Sequence, residues 1–171
     1  MDLRRQLREI PDFPKPGILF YDISPVLAHP GAWRATVDRL GDAVLPYEPD
    51  LLVGIESRGF IFAAPLALKL GLGFVMVRKR GKLPGSVMAH DYDLEYGSDT
   101  IEVAADLVPR GARVVLVDDL IATGGTAAAA VALLRKVGAE VAAAAFFIEL
   151  VALGGRARLD VPAIALLSIE G

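Results

Sequence analysis

The residues most able to do chemistry lie in one stretch, RVVLVDDLIATGGTA, at positions 113–127. Two adjacent carboxylates, Asp118 and Asp119, follow an unbroken β-branched and aliphatic run from Val114 to Val117. A short loop, Leu120 to Gly125, leads to a helix expected to begin at Thr126. Gly124 and Gly125 let the backbone come close to a ligand, and the Thr123 and Thr126 hydroxyls add donors. Unpaired amides at the positive end of a helix dipole bind phosphate. Two carboxylates beside a phosphate would repel it, so they suit sugar hydroxyls or a magnesium ion attached to the ligand. The segment therefore describes a site for a sugar phosphate. A βα turn that only caps its helix would share some of these residues. Strand, paired acids, Thr-Gly-Gly-Thr and helix in this order favour the ligand. The loop is not a Walker loop, because no Gly-Lys-Ser/Thr follows, and the three-glycine spacing of a dinucleotide site is absent.

These residues need a scaffold, and apolar runs alternating with helical patterns supply one. Strands are expected at Leu51–Ile55, Phe74–Val77, Val114–Val117, Val141–Ile148 and Ala163–Leu167. Helices are expected from Phe60 to Leu70, closed by Gly71, and from Thr126 to Val137, closed by Gly138. The β-α-β order implies an α/β fold, a central, mostly parallel sheet flanked by helices. Ligands of such sheets bind beyond the carboxyl ends of the strands. Two stretches depart from the pattern. Residues 1–30 are proline-rich in their second half and read as an extended cap with a short strand near Leu19–Ile23. Residues 79–102 are polar and glycine-bearing, basic at one end and acidic at the other, and read as a flexible loop arm or lid. An ordinary β-hairpin with a solvated tip is the plainer alternative. No linker divides residues 1–171, which are expected to form one domain.

Composition narrows the partners. The formal net charge of -3 argues against nucleic acid or an anionic membrane, so any anion must meet a local site. With no cysteine there is no disulfide, thiolate metal site or thiol nucleophile, and two histidines, His29 and His90, exclude a histidine-rich metal site. Residues 2–9 carry no apolar signal core, and the most apolar stretch is broken by Gly138, Glu140 and Glu149. The expected location is the cytoplasm.

The segment Val114 to Thr126 resembles the donor-binding signature of the type I phosphoribosyltransferase family. Four further segments resemble its adenine-using branch, in that branch's order. They are Asp12 to Phe20 with Asp22-Ile23-Ser24-Pro25, Glu56 to Phe60, Arg78 to Gly85, and Leu94 to Gly97. Together they cover nearly the whole chain. The resemblance implies transfer of a 5-phosphoribosyl group from 5-phosphoribosyl-1-pyrophosphate to adenine, with magnesium carried on the co-substrate and no direct protein ligand. It also implies a homodimer.

Residue roles follow from the resemblance position by position. Asp118 and Asp119 match the acids that hold the ribose hydroxyls. Ala122, Thr123, Gly124, Gly125 and Thr126 match the 5-phosphate loop. Ser57 and Arg58 match the pyrophosphate loop, whose cis peptide would fall at Glu56–Ser57. Arg78, Lys79 and Lys82 match pyrophosphate-neutralising residues, of which the first arginine and the last lysine reach the neighbouring subunit. Glu95 matches an acid that handles a proton near adenine N7, and Tyr96 an aromatic that closes over the site; with Arg58 they are the expected catalytic group. Leu19, Phe20 and Tyr21 match the adenine-binding strand, where the backbone of Leu19 and Tyr21 reads the base and the Phe20 side chain leans towards the core. Tyr21 stands where many relatives have arginine or lysine. His90 matches no motif residue, and His29 is expected to be exposed and structural.

Two other readings keep the phosphate cradle. One is transfer to xanthine, hypoxanthine or orotate, which the amino-terminal cap disfavours. The other is a non-catalytic sensor of the same donor, for which no DNA-binding segment or basic balance is present.

Overall fold

The computed structural model describes residues 1–94 and 96–171. Its scaffold is a seven-stranded sheet ordered β5-β6-β4-β3-β7-β8-β9, with β1 (Arg8–Ile10) and β2 (Phe20–Asp22) paired separately. Strands β3 (Leu51–Ile55), β4 (Phe74–Lys79), β7 (Arg113–Ile121), β8 (Glu140–Leu150) and β9 (Ala163–Ile169) run parallel to their neighbours in this set. β5 (Met88–Leu94) and β6 (Gly97–Val103) form an antiparallel hairpin, joined to the sheet by β6 against β4.

Side chains of β7 alternate between the two faces, as the two-residue period of a strand requires. Val114 and Leu116 join a core with Ala130 and Leu134 of α4 (Gly125–Lys136). Val115 and Val117 join a second core with Leu40 of α2 (Pro30–Val44) and Phe62 and Leu66 of α3 (Arg58–Leu70). Burial on both faces is why this strand reads as an unbroken apolar run. Small Ala127, Ala129 and Ala130 let α4 lie close to the sheet. Gly71 ends α3 with φ of 70°, the left-handed conformation of a helix C-cap. His29 is exposed, and its Nδ1 accepts the Ala32 N–H at 3.1 Å, capping α2.

The cap is more structured than an extended segment. It contains a 3-10 turn at Leu3–Gln6, the β1–β2 pair and α1 (Ser24–Ala28). Arg8 of β1 holds Asp22 of β2 across the ladder, at 3.0 Å from Nε. Residues 79–102 include the β5–β6 hairpin, which packs against α4. Among the described residues no helix is long and apolar enough to cross a membrane.

From β3 the sheet grows to one side through β4, and from β7 to the other through β8 and β9. The order thus reverses between β3 and β7, the arrangement that opens a crevice beyond the carboxyl ends of adjacent strands.

Candidate active site

That crevice is a cleft of about 380 Å³. Ile55 to Arg58 form one wall, the end of β7 and the loop to α4 another, and Lys79 a third. Both aspartates belong to β7, which runs on to Ile121. Gly59 makes this possible. A Cβ there would stand 2.8 Å from the Val117 carbonyl oxygen and 3.1 Å from Asp118 Oδ1, so only glycine lets α3 begin so close to β7.

Arg58 Nε donates to Asp119 Oδ2 at 2.6 Å, and the Asp119 N–H donates to Asp118 Oδ1 at 2.8 Å. Burial, reinforced by the neighbouring Asp119 charge, pushes the Asp118 carboxyl well above the usual carboxylate range. The two carboxylates thus differ in setting: Asp119 is tied to a guanidinium, and Asp118 accepts from the Asp119 N–H. The peptide Glu56–Ser57 is cis.

At the far end, Ala122 to Thr126 form the loop that opens α4. Gly124 precedes the helix with φ of 84°. A Cβ on it would meet the Gly155 backbone, and one on Gly155 would meet the Ala122 carbonyl oxygen. The turn at Gly155–Arg158 is therefore packed backbone to backbone against the loop.

Glu56 holds the base of the arm. Its Oε1 accepts from Arg78 at 2.6 and 3.0 Å, and its Oε2 from the Lys79 N–H at 2.8 Å. Burial alone would raise this carboxyl, but the Lys79 amide and the Arg78 guanidinium outweigh it and hold the pKa below its ordinary value. Lys79 Nζ binds Asp99 and, at 3.1 Å, the Tyr92 hydroxyl. Burial would lower the Lys79 ammonium, but the Asp99 and Tyr92 bonds outweigh it and raise it. The Tyr92 hydroxyl lies 3.5 Å from Thr126 Oγ1, linking the hairpin to the loop.

A second, more apolar cavity of about 640 Å³ adjoins the cleft, and both are lined by Arg58, Asp119 and Leu120. Leu19, Phe20 and Tyr21 line it with Phe13 and Ile18 from the cap and Ile148 and Leu150 from β8. Phe20 is half-buried at this cavity, edge to face with Phe13 at 5.1 Å. Tyr21 carries the Arg4 guanidinium over its ring, 5.2 Å from the centroid.

The structure thus brings Ser57, Arg58, Lys79, Asp118, Asp119 and Ala122 to Thr126 together in the cleft. Arg78, Lys82 and Tyr96 do not line it; Arg78 reaches Glu56 and the Lys82 carbonyl, and Tyr96 is 91% exposed. Glu95 lies outside the described residues. Sequence reasoning missed the work of Glu56, Tyr92, Asp99 and Gly155. Tyr92 and Asp99 face each other across the hairpin, a relation readable only once its register is known.

A sheet of this order, with a phosphate-type loop and paired acids at its switch point, defines a phosphoribosyltransferase. Residues 29–163 match the family profile described as the phosphoribosyl transferase domain. The chain is 65% identical to the adenine phosphoribosyltransferase of Rhodospirillum centenum, over 99% of each chain. A crystal structure of adenine phosphoribosyltransferase from Thermoanaerobacter pseudethanolicus superposes with a TM-score of 0.94 at 46% identity, covering 98% of each chain. That of the Saccharomyces cerevisiae enzyme, complexed with an imino-altritol bisphosphate and adenine, gives 0.91 at 44% identity, covering 96% of each chain. The chain belongs to the adenine phosphoribosyltransferase family.

Proposed function

We propose that this protein transfers the 5-phosphoribosyl group of 5-phosphoribosyl-1-pyrophosphate to adenine, forming AMP and pyrophosphate in purine salvage. The observation that carries this reading is the junction of two unlike cavities. A polar cleft with a phosphate-type loop shares Arg58, Asp119 and Leu120 with a cavity walled by the aromatic and aliphatic residues of the cap. A sugar phosphate in the first would have its anomeric end directed towards a planar base in the second.

In this mechanism Ala122 to Thr126 hold the 5-phosphate through backbone N–H groups and threonine hydroxyls. Asp118 and Asp119 receive the ribose hydroxyls. The anomeric carbon passes through an oxocarbenium-like state. The chain's task is to hold donor and base in line and to neutralise the departing pyrophosphate. Ser57, Arg58 and Lys79 do the latter from within the cleft. Arg78 and Lys82 are assigned to the pyrophosphate across a homodimer, a role supported by their place outside their own chain's cleft. Glu95 is assigned proton handling at adenine N7, and Tyr96 closure over the site. The backbone of Leu19 and Tyr21 is assigned to the base.

Among the described residues no three acidic or histidine side chains converge to hold a metal. Magnesium is assigned to the co-substrate, with Asp118 and Asp119 as the carboxylates that would lie near it. When bound, it supplies neutralisation of pyrophosphate charge. Residues 1–171 act as one domain, with 1–30 serving base recognition and 79–102 the catalytic arm, and the enzyme works in the cytoplasm.

The test is a base panel. Purified protein, magnesium and donor are mixed in turn with adenine, hypoxanthine, guanine, xanthine and orotate, and nucleotide is measured. AMP from adenine alone is expected. Nucleotide from another base overturns the assignment of the cap. Tight donor binding without product from any base would make the protein a sensor of the donor.

A further inference from the structure

The phosphate end of the cleft contains no cation among its lining residues, Ala122 to Thr126. The two cations that line the cleft elsewhere are both engaged, Arg58 with Asp119 and Lys79 with Asp99. A 5-phosphate held by Ala122 to Thr126 alone would meet only neutral donors, with two carboxylates nearby.

The turn behind the loop carries two arginines with different fates. Arg156 is bound to the buried carboxylate Glu149, at 2.7 and 3.1 Å, and donates to the Ala163 carbonyl. It fastens the turn to β8 and β9. Beyond the turn, Asp160 is tied to Arg135 of α4 at 2.8 Å. Arg158, between these two anchors, has no hydrogen-bond or ion-pair partner among the described residues. Its guanidinium lies beside the first residue of α4, where a Cβ on Gly125 would come within 3.2 Å of Nη1. The absence of a side chain at Gly125 leaves room for it. The Gly155 backbone meanwhile fixes the turn against Gly124 and Ala122.

We propose that Arg158 is a further 5-phosphate-binding residue, supplying the positive charge that the loop itself lacks. The inference rests on the reading of Ala122 to Thr126 as the 5-phosphate loop. The Glu149–Arg156 pair then acts as a positioning device, holding the turn so that Arg158 faces the first turn of α4. A guanidinium suits the task because its fork of donors can pair two phosphate oxygens.

The test compares two ligands that differ only in the phosphate. AMP and adenosine are titrated calorimetrically into wild-type protein, Arg158→Ala and Arg158→Lys, each checked for native circular dichroism. Arg158→Ala is expected to weaken AMP roughly tenfold, the worth of one charge-assisted bond, and to leave adenosine unchanged. Arg158→Lys should recover part of the loss. The salt dependence of AMP binding should be shallower in the alanine variant. Equal AMP affinity in wild type and Arg158→Ala overturns the proposal, as does an equal loss for AMP and adenosine, which would mark a packing role. If Arg158→Ala does not fold, Arg158→Gln provides the same comparison. Wild-type protein that binds AMP no better than adenosine would overturn the loop reading itself, a result distinct from failure of Arg158 alone.

Discussion

Replacing Gly124 by alanine should damage the cradle far more than the same change at Gly154, and the structure gives the reason. Both residues have left-handed backbone, φ of 84° and 67°. A side chain in that conformation costs about 1–2 kcal/mol. Stiffening of the unfolded chain returns roughly 0.4–1 kcal/mol of it. The net cost at Gly154, where a Cβ meets nothing within 4 Å, is therefore about 1 kcal/mol. At Gly124 the Cβ would meet the Gly155 carbonyl group and stand 3.0 Å from its Cα. These are backbone atoms that cannot rotate aside, and overpacking of this kind adds about 1–3 kcal/mol. The expected totals are about 1 kcal/mol for Gly154→Ala and about 2–4 kcal/mol for Gly124→Ala. At about 2–4 °C per kcal/mol for a chain of this size, the second variant should melt several degrees below the first. Urea unfolding followed by circular dichroism, with unchanged slope, measures the difference. The KM for 5-phosphoribosyl-1-pyrophosphate should rise only for Gly124→Ala. Equal stability losses would refute the close packing of the Gly155 turn on the loop, and with it the anchoring of Arg158.

Two further predictions concern charge. Hydrogen bonds from the side chain and backbone of Ser24, opposed by burial and aided by Arg8, hold the Asp22 carboxyl down to about 2 from 3.8. A depressed carboxylate contributes stability above its unfolded pKa and loses it as pH falls through the folded one. The cap should thus lose stability between about pH 4 and pH 2, and Asp22→Asn should flatten that part of the stability profile. An unchanged profile would remove Asp22 from the account. Asp99→Asn should raise the donor KM a few-fold although it deletes a negative charge near an anion site; a lower KM would show that Asp99 only competes with the ligand.

Much of this was legible in the sequence, for identifiable reasons. Val114 to Val117 is buried on both faces, so its strand needs no alternation to be seen. The glycines at 71 and 138 mark where α3 and α4 stop. The loop at Ala122 to Thr126 carries its chemistry locally, in backbone and hydroxyl groups. What stayed hidden depends on contacts distant in sequence. Arg8-Glu9-Ile10 has no strand pattern and becomes β1 only by pairing with β2. The pairing of Arg58 with Asp119 spans 61 residues. The approach of Gly155 to Gly124 joins two turns that neither local pattern links.

Three cations of the site are tied to carboxylates, Arg58 to Asp119, Arg78 to Glu56 and Lys79 to Asp99. A simple charge count makes these carboxylates rivals of pyrophosphate. The geometry argues otherwise. Arg58 uses Nε for Asp119, which leaves both terminal nitrogens for another acceptor. Lys79 uses two of its three donors, on Asp99 and Tyr92. The Arg58 and Lys79 side chains are 54% and 44% exposed, so each pair contributes only about 0–1 kcal/mol and yields readily to a multivalent anion. What the carboxylates provide is orientation. A free lysine or arginine must surrender rotamer entropy, about 0.5–1.5 kcal/mol for each side chain immobilised, when it meets a ligand. Here that loss accompanies folding instead. Removing a carboxylate therefore frees a cation from its position more than it frees it for the ligand, which is why loss of Asp99 should weaken the donor.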